Sequence, residues 1–107
     1  MSEISDLLHP KKLYLISYDL IKGKDYKRLI DEIKRKYKPR SKPLESVWII
    51  KSSTSCSEVF DNLSNYVDED DKLIVLELNN VGNWTETLGL KSREFLEREF
   101  TELFDKP

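Results

Sequence analysis

The stretch KPRSKPLESVWIIKS, residues 38–52, decides how this chain folds. Val47, Trp48, Ile49 and Ile50 are consecutive strand formers with no helical stripe. Ahead of them, Pro39 and Pro43 bracket the basic tripeptide Arg40-Ser41-Lys42 and stop any helix arriving from upstream. A short strand or bend around Lys42–Glu45 precedes the apolar run, so the two pieces are expected to form a hairpin. That hairpin supplies the second and third strands of a longer pattern.

Outward on the N-terminal side, Leu13, Tyr14, Leu15, Ile16 and Tyr18 mark a strand over 13–19, and Gly23 breaks the chain after it. Asp25 offers an N-cap, and Tyr26, Leu29, Ile30, Ile33 and Tyr37 follow with the spacing of one apolar helix stripe. On the C-terminal side, Ser55 and Glu58 have the spacing of a capping box. Val59, Phe60, Leu63, Tyr66 and Val67 continue from it as a second helix. The acidic connector DEDD, 68–71, then leads into the strand KLIVLEL, 72–78. The expected fold is α+β, a ferredoxin-like βαββαβ sandwich. Beyond it, NNVGN is a turn, residues 84–88 are expected to add a C-terminal edge strand, and 92–105 an extra helix carrying Leu96, Phe100, Leu103 and Phe104 on one side. The organisation is a tail (1–12), the domain (13–80), and an extension (81–107) that packs on the domain or on a dimer partner.

A length of 107 residues suits one domain, and 38% apolar residues suffice for a small core. No apolar run is long enough to span a membrane, and MSEISDLLHP has neither the basic start nor the apolar stretch of a secretory signal. The single cysteine, Cys56, excludes an internal disulfide and points to a reducing, cytoplasmic setting. The single histidine, His9, falls in the tail, which sets aside histidine catalysis and Cys/His metal sites. Net charge is −2 but strongly polarised: residues 22–42 carry +7 and residues 58–107 carry −8. A polyanion would meet the first segment.

Both alternating sets of strand side chains are apolar. Leu13 and Leu15 oppose Tyr14, Ile16 and Tyr18; Val47 and Ile49 oppose Trp48 and Ile50; Leu73 and Val75 oppose Ile74, Leu76 and Leu78. Helices cover one face of such a sheet, so the second face needs its own cover. The expectation is a homodimer through Tyr14, Ile16, Tyr18, Trp48 and Ile50, with cover by Phe95, Leu96, Phe100 and Phe104 of the same chain as the alternative. Burying about 600 Å² there is worth roughly 15 kcal/mol gross before association costs.

Asp19 ends the first strand on the face of Leu13, Leu15 and Ser17. One reading has it cap the turn before Gly23. Another makes it a catalytic metal ligand. One carboxylate holds Mg²⁺ poorly, but a dimer axis nearby would supply two, and a shared ion would activate water for phosphodiester cleavage.

The segments YLISYDL (14–20), DYKRLIDEIKRKY (25–37), LESVWIIKS (44–52) and DKLIVLEL (71–78) resemble the small CRISPR-associated integrase-partner family, the second Cas protein. Short SinR-labelled bacterial and phage relatives are closer in pattern, and virulence-associated protein D has a similar layout. The resemblance, over residues 13–80, implies a dimeric ferredoxin-like fold, nucleic acid as partner, and a metal-dependent DNA or RNA endonuclease with Asp19 at the metal. The chain departs from that pattern at Lys51, which stands near the place of an expected acid.

Three functional readings follow. A dimeric Mg²⁺-dependent nuclease would use Asp19, with Lys22, Lys24, Lys27 and Arg28 drawing in phosphates. A non-catalytic nucleic-acid scaffold would extend the same track through Lys34, Arg35, Lys38, Arg40 and Lys42. A protein-interaction or inhibitory module would use the acidic C-terminal helix toward a protein partner.

Overall fold

The computed structural model describes residues 10–21 and 26–100. Seven elements follow one another: β1 (Lys12–Asp19), α1 (Lys27–Lys36), β2 (Arg40–Leu44), β3 (Val47–Ser52), α2 (Cys56–Ser64), β4 (Lys72–Leu78) and α3 (Leu90–Glu99). The strands form one antiparallel sheet in the order β2-β3-β1-β4, the ferredoxin-like α+β arrangement. β1 sits between β3 and β4, with Leu15 opposite Ile49 on one side and Leu76 on the other. Residues 38–52 do form the hairpin: Leu44 pairs with Val47, Ser41 with Ile49 and Arg40 with Ile50. The register shifts between Ser41 and Leu44, where Pro43 has no N–H to give the ladder.

α1 and α2 lie on the inner face. Leu29 and Ile33 of α1 are fully buried, as are Val59 and Leu63 of α2. α2 starts with the reciprocal cap: the Glu58 N–H donates to Ser55 Oγ at 3.1 Å and the Ser55 N–H donates to the Glu58 carboxylate at 2.9 Å. It ends at Ser64, so Tyr66 and Val67 belong to the next turn, yet both pack on the core. The cap expected at Asp25 lies outside the described residues.

Glu32, almost fully buried, ties the helices together. It accepts both guanidinium bonds of Arg35 at 2.9 Å and one from Asn62 at 2.9 Å. Burial pushes its carboxyl upward, and the bonds from Arg35 and Asn62 outweigh that and hold it below its ordinary value.

The inner core corrects the expected dimer surface. Tyr14, Ile16, Tyr18, Trp48 and Ile50 are 0–6% exposed because α1 and α2 cover them, not a second subunit. Trp48 donates its indole N–H to the Tyr18 hydroxyl at 3.0 Å inside this layer. The outward face is therefore the other set, with Leu13, Leu15, Ser17, Asp19, Val47, Ile49, Ile74, Leu76 and Leu78.

α3 covers part of that outer face. Phe95 and Leu96 form a second core with Leu13 and Ile49, joined by Leu78, Trp84, Leu88 and Phe100. Lys51 fixes the helix by an ion pair to Glu99 at 2.8 Å. Burial raises the Glu99 carboxyl, but the bonds from Lys51 and Arg98 outweigh it and bring it below its ordinary value. Residues 84–88 form a turn-containing connector, so the expected edge strand is absent there, and α3 begins at Leu90. Phe104 lies outside the described residues. Between α3, the connector and the uncovered sheet runs an apolar groove of about 600 Å³ lined by Leu15, Val47, Leu78, Trp84 and Phe100. Among the described residues no helix is long and apolar enough to cross a membrane.

Candidate nucleic-acid interface

Among the described residues, the cations of the basic segment divide between the two ends of α1. At the start of α1, Lys27 pairs with Asp31 one turn on. Arg28 donates to the Asn65 carbonyl at 3.2 Å, with its guanidinium 5.9 Å from the centre of the Tyr66 ring. These two side chains are engaged with α1 itself and with the end of α2. Lys22 and Lys24 lie outside the described residues.

The other end of α1 is different. Lys34 there, Arg40 and Lys42 on β2, and Lys91 at the start of α3 line one groove of about 490 Å³, together with Pro39, Ser41, Trp48 and Ser92. Among the described residues no carboxylate lines it. Among the described residues none of the four cations is held in an ion pair. Each is placed by the fold. Lys34 lies in the last turn of α1, where a cation suits the helix dipole. Arg40 donates to the Tyr37 carbonyl at 3.5 Å. The Lys42 ammonium lies 5.8 Å from the centre of the Trp48 ring.

The α3 side of the groove is held by Ser41 Oγ donating to Ser92 Oγ at 3.1 Å. Gly89 caps α3 without a side-chain bond, and no acid stands in the first turn. Lys91 and Arg93 are thus on the end of the helix where the dipole is positive and unfavourable to them. An anion in the groove would relieve that repulsion. Sequence reading placed Arg40, Lys42 and Lys34 on a basic track. It missed Lys91 and Ser92, which lie in the acidic half of the chain and reach the groove only because α3 folds back over β2. Trp48 is buried beneath the groove, so it offers no face for stacking on a base.

Asp19 is exposed at the end of β1, opposite Lys72 of β4. Among the described residues one group of three acids lies close enough together to share an ion: Asp68, Asp70 and Asp71, with oxygens within 4.8 Å of one another. Asp19 is not one of them. Asp71 has a structural task. Its carboxylate accepts the N–H of Ile21 at 2.9 Å and of Asp68 at 2.7 Å, which joins the exit of β1 to the loop before β4. Cys56 donates toward the Val75 carbonyl at 3.5 Å and packs against the inner core.

No family model, curated protein or solved structure matches this chain.

Proposed function

We propose that this chain binds nucleic acid by the sugar–phosphate backbone, through the groove of Lys34, Arg40, Lys42 and Lys91. The observation that carries the reading is the convergence of four cations from three separate elements around one groove, with no ion pair to them and no carboxylate lining it among the described residues. Phosphate contacts of this kind fix position without reading sequence. Binding is therefore sequence-tolerant and salt-sensitive. The resemblance to the integrase-partner family supports the same partner class.

A second reading, a Mg²⁺-dependent nuclease at Asp19, is favoured by one observation: Asp19 is exposed on the outer face, beside the apolar side chains that α3 leaves uncovered. It requires further oxygen ligands, from a partner copy or from the substrate phosphate.

Amide shifts of isotopically labelled protein titrated with a short oligonucleotide test the first reading. Residues 40–42 and 89–92 are expected to move together. Movement confined to residues 26–28, or none at low salt, would refute it. Mg²⁺-dependent cleavage abolished by Asp19→Ala would establish the second.

A further inference from the structure

We infer that the open edge of β4 takes up an extended segment of a partner protein, one in which Lys or Arg alternates with Val, Ile or Leu. The sheet has two edges, β2 and β4. The β2 edge is blunted by Pro43, by the register shift beside it, and by α3 bonded across it at Ser92. β4 has none of these devices. It runs seven residues without proline or glycine and pairs with β1 in unbroken register from Lys72 to Leu78. Among the described residues nothing pairs with its other side. Its outward N–H and C=O groups are a template for one more strand.

The side chains beside the edge select the occupant. On the outer face Ile74 and Leu76 are each 53% exposed, which calls for apolar side chains across from them. The helix side differs. Leu73, Val75 and Glu77 belong to it, because they stand opposite Tyr18, Ile16 and Tyr14 of the buried set. Leu73 joins Phe60, Val67, Asp68, Glu69 and Asp71 around a shallow groove of about 310 Å³. Among the described residues no Lys or Arg lines it. At the other end of the strand, Lys12 approaches Glu77 at 3.8 Å, in a pair exposed on both sides and therefore weak. Along its helix side the edge thus reads acid, apolar, acid. A basic side chain of an incoming strand lays its apolar stem over Leu73 and the 42%-exposed Phe60 and sets its charge among the acids. Successive strand residues face opposite ways, so basic residues on the helix side alternate with apolar ones on the outer side.

Two other occupants fit less well. Nucleic acid is repelled by Asp68, Glu69 and Glu77. A second copy running antiparallel brings its own 68–71 loop beside Glu77, acid against acid. The site lies at the opposite edge of the sheet from β2, which carries Arg40 and Lys42, and the inference is independent of what the basic groove binds.

Amide shifts of the labelled whole chain titrated with the synthetic peptide KIKIKIK test it. Saturable shifts at residues 72–78 and at Glu69 are expected, with a Kd of about 10–100 µM, the range of a small transient contact. Glu69→Lys/Glu77→Lys should weaken binding by about tenfold or more, while circular dichroism and melting match the wild type. Methylating one of the two alternating sets of peptide nitrogens keeps every side chain but removes strand pairing; it should abolish binding, and methylating the other set should spare it. In the free chain every second amide of β4 should exchange with solvent as fast as a loop amide. The inference is overturned by an absence of shifts at 72–78, by binding that survives the two lysines or methylation of either set, or by shifts at 72–78 that EIEIEIE reproduces. Protection of every β4 amide in the free chain would also overturn it, because a terminal segment or a second copy would then already fill the edge.

Discussion

Replacing Leu96 by alanine separates a helix that is docked from one that is sealed in. Leu96 is 5% exposed and packs with Leu13, Ile49 and Phe95, but it also lines the open groove beside α3. The truncation removes three carbons, about 2.4 kcal/mol of transfer energy at ~0.8 kcal/mol each. A closed void would add more, at about 24 cal/mol per Å³. The void left by Leu96 opens into the groove and to water, so little is added, and a cost of about 2–3 kcal/mol is expected. Leu63 is the internal standard: it is fully buried between α2 and the inner sheet face, and its void has no outlet. Leu63→Ala should cost about 4–5 kcal/mol, leaving a gap near 2 kcal/mol between the variants. Urea unfolding followed by far-ultraviolet circular dichroism measures both, provided the slopes match. Equal losses would show that the outer layer is as closed as the inner one. A loss below about 0.5 kcal/mol for Leu96→Ala would show that α3 contributes no core at all.

Other substitutions probe single bonds. The Glu99 carboxyl lies below its ordinary 4.5 in the folded chain, so its contribution is present above the unfolded value and fades as pH falls. The stability gap between wild type and Glu99→Gln in urea should therefore shrink from pH 6 to pH 3; a constant gap would refute the Lys51–Glu99 assignment. Tyr18→Phe deprives the buried Trp48 indole N–H of its acceptor and should cost about 1–3 kcal/mol, read from the same urea curves. Ser55→Ala removes the oxygen that caps α2 and should cost about 1 kcal/mol, with Glu58→Gln costing less.

How far the sequence could be read depended on how local each signal was. The hairpin at 38–52, the α1 stripe and the Ser55–Glu58 cap all rest on contacts a few residues apart, and each appears in the structure. Which sheet face the helices cover is not a local matter. Both alternating sets are apolar, so periodicity alone separates the sets without orienting them. A hint was present: the set of Leu13 and Leu15 ends in Ser17 and Asp19, while that of Tyr14, Ile16 and Tyr18 stays apolar, and the more polar set faces outward. The groove was half legible for the same reason. Arg40 and Lys42 are close in sequence to Lys34, but Lys91 joins them only through the packing of α3 on β2. Charge counts assigned Lys91 to the acidic half and so concealed it. The turn at 84–88 shows the opposite failure, since Trp84 and Leu88 have strand-like composition but are used to pack against α3.

The most direct measurement of the central claim is the salt dependence of binding, by fluorescence anisotropy of a labelled oligonucleotide duplex. If the four groove cations each neutralise one phosphate, log K against log salt should fall with a slope of about −3.6 on duplex. Removing Lys42 or Lys91 should flatten that slope by about one unit each, while Lys27→Ala should leave it unchanged. A slope near zero, or one that the groove substitutions leave intact, would contradict the assignment of the groove as the nucleic-acid site.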